Sequence, residues 1–125
     1  MDTETVSRIE GALGQATCTR AENEGGFLRL GFGDQWLSVG CAWRIILGES
    51  IHGSGSKPVA DVQLLVGKTV ESLAVSGETN DLRLELSDRA VLETFEDSGD
   101  YENWTLGIGD RGVVVSGPGK SWSSF

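Results

Sequence analysis

The side chains able to do chemistry in this 125-residue chain are overwhelmingly carboxylates, and they are unevenly placed. Glu78, Asp81, Glu85, Asp88, Glu93, Glu96, Asp97, Asp100, Glu102 and Asp110 fall within residues 78–110, opposed only by Arg83 and Arg89. Ten acids less two arginines give −8 of the formal net charge of −9. Oxygen-rich EDSGDYE at 96–102 invites a calcium loop, but the order of acids, glycine and a closing glutamate is not that of an EF-hand. An acid/base pair would need two carboxylates set apart from the rest, and nothing in the spacing selects two of ten. A solvated acidic face is the ordinary meaning of such a run.

Aromatic residues inside the run support a different use. Phe95, Tyr101 and Trp104 are mixed with Glu96, Asp97, Asp100 and Glu102, and aromatic anchors in a field of one sign make an effective protein-binding surface. Alternation with Leu106 and Ile108 puts Trp104 in the core and leaves Tyr101 exposed. The candidate partner-binding residues are therefore Glu96, Asp97, Asp100, Tyr101 and Glu102. Trp43 and Arg44 join them from the equivalent end of the first half of the chain.

Other chemistry is poorly supplied. His52, the single histidine, lies in the Gly/Ser run HGSGSK, where holding a triad would be costly. Cys18 and Cys41 show neither metal-ligand spacing nor a CxxC motif, and are expected as two buried free thiols. GIGDRG at 107–112 matches GxGxxG literally but leads into Val113–Val115, a strand rather than the helix a dinucleotide site needs. GPGKS at 117–121 has Val114 where a phosphate loop carries its first glycine, and Pro118 removes an amide. The expectation is a non-enzyme with no cofactor and no metal.

The elements that must position these residues are short and mostly extended. Leu28, Leu30 and Phe32 alternate with polar residues; after Gly33-Asp34, so do Leu37, Val39, Cys41, Trp43 and Ile45. LRLGFGD at 28–34 aligns with LRLELSD at 82–88. Upstream, Val6, Ile9, Leu13 and Gly14 align with Val59, Val62, Val66 and Gly67, apolar positions at helical spacing closed by a glycine. Pro58 suits the start of the second such helix. The pattern predicts two pseudo-repeated units (about 3–48 and 57–108), each a helix, a strand (about 15–21 and 68–76) and a hairpin. A C-terminal hairpin follows, from Trp104 through the turn at 109–112 to Val115. Residues 52–57 are expected as the linker and 116–125 as a loosely held tail. The predicted fold class is α+β, mostly antiparallel β, in a single domain.

Composition bounds the partners. Hydrophobic residues make up 38%, charged residues 23%, and there are 18 Gly against 2 Pro. The net charge disfavours nucleic acid and anionic membrane and steers towards a basic protein. The N-terminus shows no secretory pattern and no apolar stretch is long enough to span a bilayer, so a cytoplasmic location is expected. The run DLRLELSDRAVLETFEDSGDYENW at 81–104 resembles a pattern in small bacterial proteins of unassigned function: a strand, an Asp-Gly turn, a second strand and a Tyr-Glu-x-Trp element. CAWRI at 41–45 resembles its first-half counterpart, and Arg89 stands where that pattern has its turn glycine. Some such proteins are similar to immunity proteins of bacterial toxin systems. The resemblance implies a binding module that neutralises a basic, nuclease-like toxin through its acidic face. The alternative is a small-ligand-binding or self-associating domain, a homodimer for instance, whose acidity serves solubility alone.

Overall fold

A computed structural model of the chain describes residues 1–57, 60–96, 102–117 and 121–125. One helix precedes eleven strands: α1 (Thr3–Leu13), β1 (Arg20–Glu24), β2 (Phe27–Phe32), β3 (Gln35–Val39), β4 (Ala42–Leu47), β5 (Ser50–Gly53), β6 (Val70–Val75), β7 (Leu82–Leu86), β8 (Ala90–Phe95), β9 (Trp104–Ile108), β10 (Val113–Ser116) and β11 (Trp122–Ser124). They form two antiparallel sheets, ordered β1-β2-β3-β9-β10-β11 and β5-β4-β8-β7-β6. The sheets face each other as a sandwich. Leu28, Leu30, Leu37 and Leu106 from the first share one buried cluster with Trp43, Leu84, Leu86 and Leu92 from the second.

This corrects the α+β expectation and its two repeated units. Only one α-helix forms among the described residues. Asp2 caps it by accepting the Thr5 N–H at 2.8 Å, and Ile9, Ala12 and Leu13 enter the core. Its supposed counterpart is a single 3-10 turn, Val62–Leu65, capped by Asp61. Between the Asp61 cap and Gly67 there is room for one turn only, and a short helix does not repay its nucleation. Val66, aligned with buried Leu13, is 41% exposed. Pro58 and Val59 lie outside the described residues.

The hairpins themselves form, but in different sheets. The chain makes a β1-β2-β3 meander, then crosses at Gly40-Cys41 into the second sheet, where β4 pairs with β8. The alternation from Leu37 to Ile45 hides this corner: Leu37, Val39, Cys41, Trp43 and Ile45 are all buried, because both sheets face one core and the phase survives the crossing. Asn103 clamps the corner, accepting from the N–H of Gly40 at 2.8 Å and of Cys41 at 3.2 Å. The β6-β7-β8 meander builds the second sheet, and the chain then returns to the first through the connection from Glu96 to Asn103.

His52 lies not in a linker but in edge strand β5, opposite Ile45. The C-terminal hairpin pairs β9 with β10 as expected, and the tail supplies a further strand, with Ser116 opposite Trp122. Cys18 and Cys41 are both buried thiols, and burial pushes the Cys18 thiol up, against a lowering contribution from the Arg20 backbone. No helix among the described residues is long and apolar enough to cross a membrane.

Candidate functional site

Strand polarity sorts the carboxylates. In an antiparallel sandwich the β6–β7 loop and the β8–β9 connection emerge at one end, and the β7–β8 and β9–β10 turns at the other. Glu78, Asp81, Glu96 and Glu102 therefore share an end, while Asp88 and Asp110 lie opposite. Glu85 and Glu93 stand mid-strand on the outer face of the five-stranded sheet. The single run in sequence is three groups in space.

Each group meets different neighbours. Glu93 is held between Arg44 (Nε 2.8 Å from Oε1) and Arg83 (Nη1 2.7 Å from Oε2). The three are in one cross-strand register over β4, β8 and β7. Burial pushes the Glu93 carboxyl up, but the hydrogen bonds and charges of Arg44 and Arg83 outweigh it and hold the group below its ordinary range. Asp88 pairs with Lys68 at 3.1 Å. Asp81 is a clamp: one oxygen accepts the Glu96 N–H at 2.8 Å and the other the Thr79 hydroxyl at 2.8 Å, fixing where the β8–β9 connection departs.

Of the sequence-derived candidates, Glu96 is half-buried and Glu102 exposed, both on that connection. Asp97, Asp100 and Tyr101 lie outside the described residues. Arg44 is on the surface but engaged with Glu93, and its guanidinium sits 5.0 Å above the Phe95 ring. Trp43 is 2% exposed, and its indole N–H donates to the Gly26 carbonyl at 2.6 Å. It is a core residue and is withdrawn from the candidate surface. Its phase with Leu37, Val39 and Ile45 already pointed inward. Trp104 is buried likewise, donating to the Asn80 carbonyl at 2.9 Å.

Two exposed aromatics flank the connection. Phe95, 37% exposed, ends β8 immediately before it. Phe27, 41% exposed, begins β2 at the same end. A Cβ on Gly40 would lie 3.1 Å from the Phe27 ring and 3.4 Å from the Glu102 carbonyl, so this ring and the connection close on the same glycine. Phe27 also carries a cation, the Arg29 guanidinium 5.3 Å from its centroid.

Sequence reasoning missed the outer face of the six-stranded sheet. Trp36, 45% exposed, stands there between Gly31 on β2 and Gly107 on β9. A cavity of about 600 Å³ opens beside it, against Arg20, Arg29 and Gly31. The signal was available: Trp36 is out of phase with Leu37 and Val39, so it had to point away from the core.

No cluster of three or more His, Cys, Asp or Glu suited to a metal occurs among the described residues. No family model matches the chain, nor does any curated protein or solved structure.

Proposed function

We propose that the chain is a protein-binding module that meets a basic partner with the end of the sandwich bearing the β8–β9 connection. One observation carries the reading. Acids from separate segments, Glu78 with Asp81 and Glu96 with Glu102, converge at one end, and the exposed rings of Phe27 and Phe95 flank them. Converging negative charge accelerates encounter with a positive surface, while the rings supply apolar area for a tight contact. In its most specific form the partner is a nuclease-like toxin, basic because it must hold phosphate, and the module is its immunity protein. Glu96, Glu102 and Phe95 are the described residues on which this rests, with Asp97, Asp100 and Tyr101 of the same connection.

The test is a pull-down from the native host at low and high salt, with three forms of the protein as bait. Partners captured at low salt by the wild type should be lost on raising the salt and lost to the Glu96→Lys/Glu102→Lys double variant. They should be retained by Asp110→Lys, at the opposite end. Capture indifferent to salt and to the double variant would sink the proposal.

A further inference from the structure

The six-stranded sheet presents a second surface whose chemistry differs from that of the acidic end. Two register rows cross its outer face. One runs Arg20, Gly31, Trp36, Gly107 and Val113; the next runs Glu22, Arg29, Ser38, Thr105 and Val115. Glycine inside a strand weakens it and often marks a close approach. The two glycines beside Trp36 have different reasons. A Cβ on Gly107 would fall 2.1 Å from the Trp36 indole nitrogen, so the ring lies across that glycine. Gly31, on the other side, has no ring over it; its nearest neighbour is the Arg20 Cβ, 3.1 Å from where a Cβ would stand. Arg20 and Trp36 are separated by two strand spacings, about 10 Å. The cavity of about 600 Å³ opens along this slot.

The lining specifies the ligand. One apolar group faces the cavity, the Trp36 indole, since Leu30 and Leu37 are buried beneath it. Around the indole stand two cations, Arg20 and Arg29, and two anions, Glu22 and Asp34, with no net charge among them. Gln35 and Ser38 add uncharged donors and acceptors. Arg20 and Glu22 pair at 3.1 Å, whereas Arg29 has no ion pair among the described residues. The backbone of the floor is engaged in strand pairing, so recognition must come from side chains. A wholly apolar ligand would strand the polar rim, and an anion gains nothing from a balanced rim on a molecule of net charge −9. What fits is a ring with one flat C–H face for the indole and an edge of hydroxyls that both donate and accept. We infer that Trp36, beside the slot at Gly31, is the stacking platform of a binding site for a neutral pyranose sugar unit, with Arg29, Glu22 and Ser38 engaging its hydroxyls.

The measurement is an amide and indole NMR titration of the intact protein with three neutral oligosaccharides, cellotetraose, maltotetraose and chitotriose, alongside glucuronate and benzoate. At least one neutral sugar should shift the Trp36 indole and Gly31 amide signals while those of buried Trp43 and Trp104 stay still. Trp36→Ala should weaken that sugar at least about tenfold, and Arg29→Gln several-fold. Glu78→Lys, at the acidic end on the other sheet, should leave the sugar response unchanged, which separates this site from the protein-binding surface. No shift with any neutral sugar at roughly 10 mM, a response that survives Trp36→Ala, or a stronger response to benzoate or glucuronate would each overturn the assignment.

Discussion

The outer faces of the two sheets are built from similar residue types and do opposite things with them. On the five-stranded sheet Arg44, Glu93 and Arg83 form one row, and the central carboxylate is 15% exposed with both oxygens bonded to guanidinium groups. On the six-stranded sheet the matching rows contain two glycines, an exposed indole, and an arginine with no ion pair among the described residues. The first face answers its own charges and so contributes to stability. The second leaves donors, acceptors and ring surface facing outward around a cavity, a costly arrangement for a strand interior unless something else contacts it. Composition would not separate the two; register does.

Substitution of the tryptophans breaks the comparison most forcefully. Trp43 and Trp36 are seven residues apart on successive strands, one on the inner face and one on the outer. Trp43→Ala should cost about 3–5 kcal/mol, through a cavity in the shared core and an unpaired Gly26 carbonyl. Urea unfolding checks this, and a loss below about 1 kcal/mol would contradict the burial of that ring. Next comes Gly107→Val. Its Cβ cannot coexist with the indole where it lies, so Trp36 must swing off β9, at a cost of about 1–3 kcal/mol. Altered Trp36 fluorescence should accompany the loss of stability; an unchanged spectrum would mean that the indole does not rest on Gly107.

Those two sites also show what the sequence could disclose. Alternation identified the core-facing residues of β2, β3, β4, β7 and β9, and the turns at Gly33-Asp34 and Asp88-Arg89 fell between paired strands as expected. It could not reveal that the chain changes sheets at Gly40-Cys41. A corner facing the same core preserves the period of two, so a strand that ends and another that begins look like one. The same blindness produced the repeats: two LRL hairpins are real, but whether they lie side by side or in opposite sheets depends on long-range pairing that local spacing does not encode. The acidic run misled differently, because antiparallel strands send neighbours in sequence to opposite ends. The Trp36 surface was legible in part. Its outward phase is in the sequence, whereas its position between two glycines exists only after β2, β3 and β9 have come together.

The charged row responds to pH in a direction its geometry dictates. Glu93→Gln should cost about 1–2 kcal/mol, since it leaves Arg44 and Arg83 without their shared counter-charge on a partly solvated face. Because the Glu93 carboxyl is held below its ordinary value when folded, its contribution is complete above the ordinary carboxylate range and is lost as pH falls through the folded value. The gap between wild type and variant should be constant near neutrality and close in acid; a gap that widened in acid would refute the pairing. A smaller effect of opposite sign is expected where this row's hairpin turns. Asp88 and Arg89 both adopt left-handed backbone angles, with φ of 59° and 62°. Arg89→Gly should relieve strain and stabilise the protein by about 0.5–1 kcal/mol, and a loss of stability on thermal unfolding would show that the arginine side chain contributes more than its backbone costs.

The smallest stability effect should come from the residue given the most specific role. Trp36 is 45% exposed, its indole makes no hydrogen bond to another described residue, and the ring rests on a glycine rather than in a packed socket. Its removal uncovers the Gly107 backbone and a limited apolar area, so Trp36→Ala should change stability by less than about 1 kcal/mol. A large aromatic side chain whose loss the fold hardly registers is one that folding alone does not account for. If Trp36→Ala instead destabilises the protein as much as Trp43→Ala does, the indole is a structural cover for β9, and the two outer faces differ in form but not in purpose.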